Sequence, residues 1–178
     1  MSAIKFTAKL LTLDKNVKIN TLSAPISATV LVLPKSASEK LPSRGMTMIK
    51  GTMNGFAFDA VVEPDSSGSH WFQVKKSILD GAKAGADDTV SMEIEPSKEW
   101  PEPRVPVDLT KMLDAKADVN TIWKDITPMA RWDWIRWIGA TKNPETRARR
   151  IHTMSDMLIK GKRRPCCFDR TQCTLTDA

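Results

Sequence analysis

The chain has 178 residues, 41% of them hydrophobic, and a formal net charge of +6. That length suits one large or two small domains, with enough apolar content for a core that needs no metal or disulfide staples. No run approaches the ~18 apolar residues of a membrane span, and the opening MSAIKFTAKL lacks a signal peptide's apolar stretch, so a soluble, cytoplasmic protein is expected. The charge is uneven: residues 1–100 carry 12 Lys/Arg against 11 Asp/Glu, and residues 101–178 carry 15 against 10. The basic character belongs to the last third, where it would attract anions of any kind, including phosphates, nucleic acid and acidic proteins.

Residues 3–13 alternate Ile4, Phe6, Ala8 and Leu10 against Lys5, Thr7 and Lys9, the pattern of a half-buried strand. A polar loop over 14–26 follows. Residues 27–33 are apolar on both faces, as in a strand covered on both sides. A short helix is predicted from Lys35 to about Leu41. Two strands, 46–53 and 56–62, flank Asn54-Gly55, a strong hairpin signal because both turn residues need positive φ. A strand over 70–74, a short helix over 76–83 and a strand over 89–95 complete the first half. Lys35-Ser36 and Lys76-Ser77 open two similar strand–helix–strand stretches. Such a repeat is a natural way to close a small barrel and remove its sheet edges.

Four prolines between Pro96 and Pro106 mark a stiff linker. Beyond it the period changes to that of helices. Pro106 opens one through Leu113, Ala117–Asp125 reads as another, and Thr127-Pro128 caps a tryptophan-rich third running to Ala140. Its Ala130, Trp134, Trp137 and Ile138 share a core-facing side. Trp132 and Arg136 lie opposite, where Trp132 meets either the other half of the chain or a partner. Asn143-Pro144 starts the last helix, and Gly161 stops it. Ile151, Met154 and Leu158 form its apolar stripe. Arg147 continues that stripe, Arg150 flanks it, and Arg149 points to solvent.

The expected class is α+β: a small β-barrel with short helices over 1–97, a Pro-rich linker over 98–105, an all-α domain over 106–162 and a flexible tail over 163–178. The three cysteines, Cys166, Cys167 and Cys173, crowd into that tail. An odd cluster of this kind reads as reduced thiols, not as a disulfide framework or a zinc site.

The segment Glu145-Thr146-Arg147-Ala148-Arg149-Arg150-Ile151 with the Ala140-Thr141-Lys142 turn resembles the YdeI/OmpD-associated family, the bacteriocin-protection proteins. Val32-Leu33-Pro34-Lys35, Lys50-Gly51-Thr52-Met53-Asn54-Gly55 and His70–Lys76 resemble the small barrel domain often fused before it. Together these cover most of the chain apart from the cysteine tail. The sequence departs from the pattern at Ile135, where an aromatic is usual, and at Asp87-Asp88, which replaces a Gly-Asp turn. The resemblance implies a protective or stress role and transfers no catalytic residue.

Nothing in the sequence announces chemistry. His70 and His152 are too few for a histidine metal site, and no phosphate-binding glycine loop occurs. A Ser-His-Asp set around Ser69-His70 lacks a nucleophile elbow. No cofactor and no metal are expected. The candidate site for an anionic ligand or protein partner is Lys142, Arg147, Arg150, Trp132 and Arg136. Arg147 has two readings, a clamp between helices that uses Asp108, Asp125, Asp133 or free carbonyls at the Ala140–Asn143 turn, or an anion receptor. The function expected is a non-catalytic binding protein. The alternative is nucleic-acid binding through the basic last helix and KGKRRP, and an enzyme ranks third.

Overall fold

The computed structural model describes residues 3–13, 27–65, 67–141 and 143–166. The loop expected over 14–26 and the tail from Cys167 onward, with Cys173, lie outside the described residues. Chain contacts divide the molecule between Glu99 and Trp100 into a β unit and an α unit, the α+β class that the change of hydrophobic period predicts.

In the β unit six strands pair antiparallel: β1 (Ile4–Thr12), β2 (Thr29–Val32), β3 (Thr47–Met53), β4 (Phe56–Pro64), β5 (His70–Gln73) and β6 (Thr89–Pro96). They close into a barrel in the order β1-β2-β5-β4-β3-β6. Two short helices, α1 (Lys35–Ser38) and α2 (Lys76–Ala82), connect strands. Asn54 and Gly55, with φ of 49° and 83°, make the turn between β3 and β4. The inward residues, among them Leu10, Leu31, Ile49, Met53, Phe72 and Ile94, form one core. Each such side chain contributes roughly 1.5–3 kcal/mol by leaving water. β2 buries both faces as its sequence requires, because Val30 packs outside the barrel with Trp71, Leu13 and Ala28.

The Lys-Ser repeat is present in the fold. β2–α1–β3 and β5–α2–β6 have the same element order, and their helices begin at Lys35 and Lys76. The strand pairing extends the relation to β1 and β4. Leu11 opposite Val30 corresponds to Glu63 opposite Trp71, and Ile4 opposite Ile94 corresponds to Phe56 opposite Met53. Both ladders carry Ile4 onto Phe56 and Thr12 onto Pro64, the first and last residues of two nine-residue strands. The barrel is therefore an internal two-fold topology, β1-β2-α1-β3 repeated as β4-β5-α2-β6. Where β3 crosses β6, a side chain at Gly51 would place its Cβ 2.0 Å from the Glu93 carbonyl oxygen.

The α unit contains α3 (Val107–Ala115), α4 (Ala117–Asp125), α5 (Pro128–Gly139) and α6 (Pro144–Ile159). Residues 101–106 form neither helix nor strand. The Thr127 hydroxyl accepts from the Ala130 N–H, and Asn143 Oδ1 accepts from the Thr146 N–H, so both predicted caps are made. Gly161, at φ 80°, closes α6 by letting the Lys162 N–H reach the Met157 carbonyl at 2.9 Å. Trp134, Ile138, Leu109, Val119, Met154 and Leu158 build the core. The tail is held through Pro165, against the expectation that it is free from residue 163. Trp134 donates its indole N–H to the Arg163 carbonyl at 3.1 Å, Arg163 pairs with Asp125, Arg164 lies 3.7 Å from the buried Asp133, and Pro165 is buried. Among the described residues no helix is long and apolar enough to cross a membrane.

Candidate functional site

Helix α3 packs chiefly on α4, while α4 and α5 pack on α6. α3 and α6 are left apart, and a cleft of about 550 Å³ lies between them. The helical period explains its lining. Asp108, Lys111, Met112, Ala115 and Lys116 fall on one face of α3 and its C-cap, and Pro144, Arg147, Ala148, Ile151 and His152 on one face of α6. Met112, Ala115, Ala148 and Ile151 make an apolar floor, and the charged residues stand at its rim.

Two polar rungs cross the cleft. At one end Asp108 accepts a bidentate pair from Arg147, Nε to Oδ2 at 2.6 Å and Nη2 to Oδ1 at 3.0 Å. At the other end Lys116 Nζ donates to Ser155 Oγ at 3.1 Å. Each rung joins residues 39 apart, so the two helices run in the same direction. The rungs are about two turns apart, or roughly 12 Å.

The two ends differ in charge. Asp108 neutralises Arg147, and the hydrogen bond from Arg147 holds the Asp108 carboxyl below the usual carboxylate range despite an opposing push from burial. The Arg147 side chain is 27% exposed and that of Asp108 45%, so the clamp is half-solvated. Among the described residues, the Lys116 ammonium meets only the neutral Ser155 hydroxyl. Among the described residues, neither Lys111 nor Lys116 has a carboxylate at ion-pair distance.

The residues predicted for the site are divided by the fold. Lys142 lies outside the described residues. Arg147 reaches the cleft, but Arg150 turns the other way. It donates Nη1–H to the Trp137 carbonyl at 2.7 Å and sits 5.4 Å over the Trp137 ring, where burial pulls its pKa below the ordinary arginine value. Three residues along a helix turn the side chain by about 300°, a net separation of about 60°, enough to place two arginines on opposite shoulders of one stripe. Trp132 donates to the Pro101 carbonyl at 2.9 Å, and Arg136 is buried at 8% exposure. Sequence reasoning missed Lys111, Met112 and Lys116. Their signal was the amphipathic i, i+3, i+4 spacing that begins at Asp108.

Chemistry of the nucleophilic kind is poorly placed. Lys116 and Ser155 have the composition of a Ser–Lys pair, yet Ser155 is 0% exposed, so a substrate cannot reach its oxygen. His70 contacts Ser38 Oγ at 2.7 Å and the Gly45 carbonyl at 2.9 Å, with both side chains 1% exposed. Ser69 donates instead to the Leu33 carbonyl. Among the described residues no group of three potential ligands could hold a metal ion.

A family model described as Bacteriocin-protection, YdeI or OmpD-Associated matches residues 102–161, which include every residue of the cleft. Residues 102–161 therefore match the YdeI/OmpD-associated family. Its barrel, over residues 6–94, matches a Domain of unknown function (DUF1905). Both walls of the cleft therefore belong to the YdeI/OmpD-associated part of the chain, and the internal two-fold to the other. Among curated proteins, none matches the chain.

Proposed function

We propose that this chain is a non-catalytic binding protein of the cytoplasm that takes a small, largely apolar ligand into the cleft between α3 and α6. The observation that carries this reading is an open, apolar-floored space of about 550 Å³ spanned by two polar rungs. Volumes of roughly 300–1,000 Å³ suit small-molecule sites, whose walls are mostly apolar with a few polar groups for orientation. Sequestering an amphiphilic agent protects without chemistry, which agrees with the family description of bacteriocin protection. On this reading residues 106–162 are the binding domain, 1–97 a barrel scaffold and 98–105 the linker. Nucleic-acid binding through KGKRRP is disfavoured, because Arg163 and Arg164 already face Asp125 and Asp133.

The test is uptake of the neutral fluorophore N-phenyl-1-naphthylamine by the full chain. Wild type is expected to bind and brighten it. Ala148→Trp fills the exposed floor of α6 and is expected to abolish binding while leaving the circular dichroism unchanged. Equal binding by both proteins would place the probe elsewhere and reject the cleft.

A further inference from the structure

The cleft is polarised along its length, and this identifies the chemistry of its ligand. One end is closed by Asp108 and Arg147, whose charges cancel in a bidentate pair. The other end presents Lys116, bonded to a neutral hydroxyl, and Lys111 lines the cleft from α3 between the two rungs. Between them the surface is Met112, Ala115, Ala148 and Ile151. A charge on such an apolar floor is matched only by an opposite charge on the incoming molecule, since unpaired polar groups lose more on desolvation than they regain.

We infer that the ligand of this cleft is a single-headed amphipathic anion, with its carboxylate or sulfate at Lys116, a second positive charge supplied along the cleft by Lys111, and its apolar body laid along α6 toward Pro144. This rests on the cleft-binding reading above and adds the sign and position of the head group. The distance between the rungs, roughly 12 Å, admits an extended alkyl chain of decanoate's length. Arg147 is the closing clamp of the site and not the anion receptor, because Asp108 already occupies its Nε–Nη2 fork. Lysine suits the receptor's role, since its charge sits on a flexible stem whose methylenes extend the apolar wall.

Isothermal titration of the full chain tests this with four probes: decanoate, decanol, decyltrimethylammonium and inorganic phosphate, the amphiphiles below their micelle-forming concentrations. Decanoate is expected to bind about tenfold tighter than decanol, the size of one charge-assisted hydrogen bond of about 1.5 kcal/mol. Decyltrimethylammonium binds more weakly still, and phosphate gives no heat. Lys116→Gln removes most of the preference for decanoate and leaves decanol unchanged. Lys111→Gln, at an exposed position with no hydrogen bond to a described residue, removes part of it and covers the case in which Lys116→Gln fails to fold. Equal affinities for decanoate and decanol would overturn the anionic head group while leaving the cleft-binding reading standing. Phosphate binding as tightly as decanoate would overturn the amphiphile. Binding of no tailed probe would reject both.

Discussion

The two units solve the same packing problem differently, and the contrast bears on the proposed site. The barrel closes on itself, each half supplying what the other needs, and balances its outer charges strand by strand. Lys5 faces Glu93, Lys50 faces Glu95 and Lys9 faces Asp87, all exposed. The α unit joins four helices through a tryptophan-centred core but leaves α3 and α6 apart. Three of its aspartates pair with arginines, Asp108 with Arg147, Asp125 with Arg163 and Asp133 with Arg164. Among the described residues, no carboxylate pairs with Lys111 or Lys116 of the cleft. Paired charges on the barrel strands and lysines without acid partners among the described residues at the cleft distinguish the proposed scaffold from the proposed site.

The sharpest way to break this contrast is at Trp134, which is 0% exposed and pins the tail through its indole N–H. Trp134→Ala should cost about 3–5 kcal/mol. Chemical denaturation should show the α unit losing stability while the barrel transition stays in place. A single shared shift would mean that the units do not fold separately. The matching cut in the barrel is Gly51→Ala. Its Cβ collides with backbone that cannot turn aside, so an overpacking cost of about 1–3 kcal/mol is expected, this time on the barrel transition alone.

Arg147→Ala comes next. A buried clamp would cost several kcal/mol, but this pair is half-solvated, and about 1 kcal/mol or less is expected, shrinking further in salt. The pH dependence has a definite sign. Arg147 lowers the folded-state pKa of Asp108 below its ordinary 3.8. The pair's contribution is therefore fully present above that ordinary value and lost as pH falls through the lowered one. Acid titration of stability should lose this component in Arg147→Ala. An unchanged acid limb would show that the pair contributes nothing. The smallest effect is expected at Arg150→Lys, which keeps the charge but loses the planar fork over Trp137. It should cost about 0.5–1 kcal/mol and leave probe binding in the cleft untouched.

Local signals made most of the fold readable. The Asn54-Gly55 turn, the Thr127 and Asn143 caps and the Gly161 stop each depend on a few neighbouring residues, and each stands where the sequence puts it. The Lys-Ser pairs exposed half of the internal repeat. The β1–β4 half stayed hidden because Ile4–Thr12 and Phe56–Pro64 share strand length and pairing but little sequence. The site was less readable for a physical reason. Helical spacing tells which residues share a face, and so it placed Arg147 on the stripe of Ile151. It does not tell which helix that face meets. Asp108 was one of three acids within reason for Arg147, and only the parallel placement of α3 against α6 selects it. The same placement turns Lys111 and Lys116 from surface lysines into the rim of a cleft.

The most direct measurement of the central claim is amide chemical-shift mapping of the full chain titrated with decanoate. Saturable shifts are expected in residues 108–116 of α3 and 144–155 of α6, largest near Lys116, with the barrel amides unmoved. Shifts centred on the barrel strands, or on Trp137 and Arg150 with α3 silent, would contradict binding in the cleft.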